Sequence, residues 1–228
     1  MPLQRTFDGR FLSRVGKWAT FVALACLLGS SCGTSGEEEG LASDLLCDVS
    51  VGSPAGDAVR KTLGHSEVET TIFAVPSRLV QRMEDGLREW TAEEGALPTD
   101  VCLFQRHAAE GDRSVRISFQ WISRSESRKR DLRDATDYVV NGVPAQVNEI
   151  RSEVTFPCFM PGDNRMKSRQ LHLVGRAAFT AEGPGESREA MDVRHVTLAY
   201  LMAQKAVKAL GCENEPLQGE PVVQPGKR

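Results

Sequence analysis

The chain has few of the residues from which metal and catalytic centres are assembled. Its 228 residues include only four histidines, His65, His107, His172 and His195. No two of them stand in an H-E-x-x-H or H-x-H pattern. No cysteine has a second ligand at C-x2-C spacing, so the sequence offers no ready zinc site, and no metal or cofactor is expected. No glycine-rich segment has the form of a P-loop or a dinucleotide fingerprint. The nearest approach to a nucleophile elbow is Gly64-His65-Ser66-Glu67-Val68. There Val68 replaces the second glycine, and a helical pattern precedes it where a strand is needed. No catalytic residue is therefore assigned, and His172 and His195 read as structural or solvent-facing.

A surplus of positive charge is also missing. The whole chain carries 28 Lys and Arg against 31 Asp and Glu, a formal charge of −3. Residues 1–31 hold four of the bases but only one acid, Asp8, so the remainder stands at −6. That balance argues against nucleic-acid binding, which needs a basic footprint, and against an electrostatically driven grip on an anionic membrane surface. The densest basic run is Arg124, Arg128, Lys129, Arg130 and Arg133. Glu126, Asp131 and Asp134 dilute it, and it reads as a solvated face. Long apolar runs are scarce too. The longest is Trp18–Leu28, about 16 Å as a helix against a hydrocarbon core of about 30 Å.

That short run is the most telling feature present. Arg5, Arg10, Arg14 and Lys17 precede it, and Gly29-Ser30-Ser31-Cys32 follows. This is the layout of an export signal, with Cys32 as the lipidation candidate. A lipobox carries Leu three places before its cysteine; here Gly29 holds that place and Leu28 stands one earlier. Cys26 fits less well, since Leu27 and Leu28 continue the apolar run beyond it. Ordinary cleavage near the same place and an uncleaved anchor remain as alternatives. Residues 1–31 are thus read as signal, 32–43 as an acidic tether and 44–216 as one domain. Residues 217–228 are read as a disordered, Pro-rich tail.

Four cysteines remain in the domain: Cys47, Cys102, Cys158 and Cys212. An even number in an exported chain indicates disulfides, and three pairings are possible. Sequential pairing, Cys47–Cys102 and Cys158–Cys212, is favoured because it staples each half separately across nearly equal intervals.

Between the cysteines, hydrophobic periodicity alternates between helix and strand. Ser53-Pro54 opens a helix that closes at Gly64, and a second is expected over 77–94, with Leu79, Val80, Met83, Leu87 and Trp90 on one stripe. Residues 67–75 are β-branched and suit a strand. Residues 101–107 and 114–122 alternate as a strand pair turning near Glu110-Gly111-Asp112. Asn141-Gly142 signals a hairpin, which Pro144 weakens. Further strands are expected over 154–159 and 171–179, and the longest helix over 187–210. Trp90 and Trp121 sit on apolar stripes and belong to the core. The pattern is α+β, an antiparallel sheet covered by helices and closed by a long C-terminal helix.

Three segments together resemble the secreted lipoproteins that actinomycetes encode in large numbers. They are Leu28-Gly29-Ser30-Ser31-Cys32, then Cys47 followed by Ala58-Val59-Arg60-Lys61-Thr62-Leu63-Gly64, and Ala206-Val207-Lys208-Ala209-Leu210-Gly211-Cys212. That family has no assigned activity, so the resemblance implies export and anchoring but no catalytic residue. The expectation is a non-enzymatic binding or accessory module held by lipid at Cys32 on the outer face of the cytoplasmic membrane, or secreted. Its partners would be the membrane and an unidentified ligand or envelope protein. The alternatives are a secreted hydrolase whose site forms only in three dimensions and a structural envelope protein.

Overall fold

Strands whose side chains alternate apolar and polar must find a dry side, and here one sheet supplies it. The computed structural model describes residues 46–64, 67–91, 95–106, 112–129, 132–180 and 187–226, without the side chains of 128 and 129. The signal, Cys32, the tether, His65, Ser66, His107, Glu110, Gly111 and Arg130 lie outside these residues. The elements in chain order are α1 (Pro54–Leu63), β1 (Glu69–Ile72), α2 (Pro76–Glu89), β2 (Thr99–Arg106), β3 (Arg113–Ser123), α3 (Arg124–Lys129), β4 (Thr136–Val140) and β5 (Val143–Val147). They continue with β6 (Arg151–Phe156), a 3-10 turn (Gly162–Asn164), α4 (Arg165–Ser168), β7 (Leu171–Phe179), α5 (Arg188–Leu210) and β8 (Val223–Pro225).

The eight strands form one antiparallel sheet in the order β1-β2-β3-β7-β6-β5-β4-β8. Val115, Ile117, Phe119 and Trp121 of β3 are buried on one face, beside Leu171, Leu173, Ala177 and Phe179 of β7. α1, α2 and α5 cover that face. α5 passes close over Gly175, where an added Cβ would stand 3.1 Å from both the Ala203 Cβ and the Phe119 ring, and 3.3 Å from Val154. The helix settles onto the sheet because that side chain is absent.

Helix ends follow their local signals. Ser53 Oγ accepts from the Gly56 N–H at 3.0 Å, and Gly64 closes α1 at φ 68°. Ser187 Oγ caps α5 through the Ala190 N–H, and Gly211 closes it at φ 63°. In α2 the buried positions are Leu79, Met83 and Leu87, and Trp121 Nε1 donates to Met83 O at 3.0 Å. α2 stops at Glu89, short of the expected 94, because Trp90 turns out of the helical region at ψ 125°. α3 answers a signal that the mixed charge obscures. Ser123 Oγ accepts from the Glu126 N–H at 2.9 Å, so Ser123-x-x-Glu126 is a capping sequence.

The disulfides are Cys47–Cys102 and Cys158–Cys212, the sequential pairing. β6 ends at Phe156, so Cys158 follows the strand instead of lying in it. Pro144 does not prevent the hairpin. Asn141 and Gly142 take φ 50° and 83°, and Val140 pairs with Val143 next to the turn. That register turns the missing Pro144 N–H away from β4. Pairing with β6 begins only at Ala145, so no ladder bond is lost.

The C-terminal segment departs from expectation. Residues 217–228 read as disordered, yet 217–226 are built into the fold. Leu217 is buried, and β8 pairs with β4. The Asn141 amide holds the segment from the hairpin tip. Its Nδ2 donates to Gln218 O and Glu220 O, each at 2.9 Å, and its Oδ1 accepts from the Val222 N–H at 2.9 Å. The buried Tyr200 hydroxyl adds a bond to Gln218 O at 2.9 Å. Pro-rich composition lowers the tendency to form regular structure, but it leaves carbonyl groups available to such a clamp.

Candidate functional site

The second face of the sheet carries the other register of every strand. It shows Arg116, Ser118 and Gln120 on β3, His172, Val174 and Arg176 on β7, Arg151, Glu153 and Thr155 on β6, and Asp137 on β4. A polar chain crosses its centre. Gln120 Nε2 donates to Ala96 O at 2.6 Å, and Arg176 NH2 donates to Gln120 Oε1 at 3.1 Å. Arg176 Nε donates to Glu153 Oε1 at 2.7 Å, and Arg151 approaches the same oxygen at 3.7 Å. Glu153 is only 3 % exposed. A carboxylate buried to that degree needs such a partner to remain charged.

Beside this chain lies a cavity of about 580 Å³. Ser127, Asp137, Gln146, Glu153, Thr155 and His172 supply its polar walls, and Val139, Pro144 and Pro157 its apolar ones. Its groups are positioned from several directions. Gln146 Nε2 donates to Asp137 Oδ1 at 2.9 Å, while Gln146 Oε1 accepts from the Leu132 N–H at 3.1 Å. His172 Nδ1 lies 2.9 Å from Ser127 Oγ, and that hydroxyl donates to Arg124 O at 2.9 Å. With its one proton directed to Arg124, the Ser127 oxygen accepts from Nδ1–H. A trough of about 720 Å³ lies between the end of α5 and residues 213–219. Part of its polar lining is already engaged, as where Gln204 Nε2 donates to Gly219 O at 2.8 Å.

His195 goes to the opposite, helix-covered face, 2 % exposed, with its ring stacked on Phe179 at 3.7 Å between centroids. Burial, then the charges of Arg194 and Arg188, lowers its pKa to about 3, so it is neutral at ordinary pH. Nearby, burial raises the pKa of Asp192 against the opposing pull of Arg188, which donates to it at 2.9 Å. Burial raises Tyr138 as well, with Asp192 and Glu189 adding to the shift. At the end of α5, desolvation lowers the pKa of Lys205, whose ammonium donates to Asp48 O and is supported by the Asp48 charge.

The four domain cysteines form the two bridges, and Cys32 lies outside the described residues. Trp121 is in the core, with Trp90 packed against it. Of the basic run, Arg124 and Arg133 are exposed, and Arg133 lies 3.4 Å from Asp134. Among the described residues, no three His, Cys, Asp or Glu side chains are grouped to hold a metal ion. No helix among them is long and apolar enough to cross a membrane. Sequence reasoning passed over Asp137, Gln146, Glu153, Thr155 and Ser127. The usable signal was a row of polar residues on the outward register of β4 to β7, which single strands present merely as a wet face. No protein-family model, curated protein or solved structure matches the chain. Fold and site define a disulfide-stapled α+β domain with a polar cavity on the sheet face opposite α1, α2 and α5.

Proposed function

We propose that this protein is a lipid-anchored extracytoplasmic module that binds a small polar ligand in the open-face cavity. The observation that carries the reading is the cavity itself. Its 580 Å³ falls within the range of small-molecule sites, about 300–1,000 Å³. Carboxylate, imidazole, hydroxyl and amide groups converge there over a buried ion pair, and they suit a ligand that donates hydrogen bonds. The two disulfides support maturation in an oxidising compartment, and the Cys32 signal supplies the anchor.

A thermal-shift screen with monosaccharides, amino acids and polyamines tests the binding. A hit that raises the melting temperature of the native chain, and is lost when Thr155→Trp fills the cavity, upholds the reading. No hit, or a hit indifferent to Thr155→Trp, overturns it. Intact mass measurement of the membrane-extracted protein tests the anchor, through acyl mass on a chain that begins at Cys32.

A second reading, hydrolysis, rests on the 2.9 Å contact between Ser127 Oγ and His172 Nδ1. A serine nucleophile must donate its proton to the base, whereas this hydroxyl donates to Arg124 O, so binding comes first. Fluorophosphonate labelling that disappears in Ser127→Ala would reverse the order.

A further inference from the structure

β3 and β7 are neighbours, and Ser123 at the end of β3 pairs with Leu171 at the start of β7. The helix after β3 and the helix before β7, α3 and α4, therefore meet at one end of the sheet. Arg124 NH2 donates to Arg169 O at 2.5 Å, and Lys167 Nζ donates to Arg88 O at 2.9 Å. The Arg169 guanidinium lies 5.2 Å from the centre of the Phe159 ring. These contacts hold the three cationic side chains in place. Among the described residues, Arg124, Lys167 and Arg169 form no ion pair with a carboxylate. Two further arginines at this end are matched, Arg88 by Asp85 and Arg165 by Glu213, and Asp163, in the 3-10 turn, and the exposed Glu126, on α3, are further acids at this end. Met166 projects from the same turn and is 67 % exposed.

We propose that this end of the molecule docks on an anionic lipid surface. The net charge, −3 overall, argues against such a grip for the molecule as a whole, and the argument here is the local charge complementarity of this one end. An anionic bilayer repels most of the domain and attracts this end, so the attraction orients the molecule as well as holding it. Met166 selects lipid over an acidic protein or a soluble anion. A bilayer alone offers negative headgroups to the cations and, a few ångströms deeper, hydrocarbon to the thioether. Each cation near such a surface is worth roughly five-fold in partition, and the three together about a hundred-fold at low salt. Ser127, on the cavity wall, belongs to α3, so docking brings the cavity to the headgroup level. The setting rests on the anchored reading, but the patch does not depend on it.

The test uses the exported full chain carrying Cys32→Ser, which cannot be acylated, so failure of the anchor leaves the result intact. It is floated with vesicles of pure phosphatidylcholine, or with phosphatidylglycerol added to about a third. The expected result is roughly hundred-fold stronger partition into the anionic vesicles, lost at high salt. Arg124→Gln with Lys167→Gln and Arg169→Gln should abolish it, Lys167→Gln alone should weaken it about five-fold, and Met166→Ser should weaken it with the salt dependence kept. Lys61→Gln, on α1, should leave it unchanged. Equal partition into both vesicles, or an undiminished signal in the single and triple charge variants, overturns the proposal. So does retention on an acidic polypeptide column without vesicle binding.

Discussion

The helix-covered face and the open face of the sheet are built from the same strands, one residue out of step, and they obey different rules. On the covered face Phe119, Trp121, Leu173 and Val154 are almost wholly buried, and His195, packed there, is held neutral. On the open face Glu153 and Arg176 pair at 2.7 Å across β6 and β7, and His172 borders a cavity. The first face is organised by removal of apolar surface from water, which is large and non-directional. The second is organised by directional bonds, each worth little net. Stability should therefore reside on one face and recognition on the other.

The largest expected break of that contrast is Phe119→Ala, which opens a cavity beneath α5 and should cost about 3–5 kcal/mol. A lower denaturation midpoint at an unchanged denaturant slope would register it, without any effect on ligand in the open-face cavity. Replacing Cys158 and Cys212 together by serine should cost up to about 4 kcal/mol, from the 54-residue interval that the bridge closes. Calorimetry of the variant against the oxidised parent measures this. A loss near zero would show that the cover over the sheet holds without its staple.

His195 gives a pH signature to the covered face alone. Its folded pKa of about 3 lies below the ordinary value of 6.5, so the unfolded chain takes up the proton first as pH falls. The stability that the neutral ring contributes is complete above about pH 6.5 and is lost progressively toward pH 3, a few kcal/mol in total. His195→Phe keeps the stack on Phe179 and removes that titration. Its stability between pH 6.5 and 3 should fall less steeply than that of the parent, and equal slopes in denaturant titrations would refute the assignment. The smallest effect belongs to the open face. Arg116→Ala removes an exposed pair with Asp100 and should cost less than about 1 kcal/mol. A larger loss would mean that the open face carries stability after all.

Legibility in the sequence divides along the same line. The long helix, the central strands β3 and β7 and the hairpin follow local rules of periodicity, capping and turn chemistry, and these act within a few residues. α3 was signalled by Ser123-x-x-Glu126, but the charged residues around it masked the cap. The tail was misread because its order comes from Asn141, some eighty positions earlier. No local pattern in a Pro-rich segment reports a clamp supplied from so far away. The site residues were invisible for the same reason: Ser127 and His172 are 45 positions apart, and Glu153 and Arg176 are 23 apart.

By itself the sequence determined the alternation that makes a sheet with one dry face, the helix that covers it and the even cysteine set that staples it. Each of these depends on near neighbours or on counting. Only the tertiary structure decided which cysteines pair, where the tail lies, that His195 is buried and His172 is not, and that a cavity stands beside the Glu153–Arg176 pair. Those are meetings of distant residues, and strand order and register, set by the packing of the whole chain, bring them together.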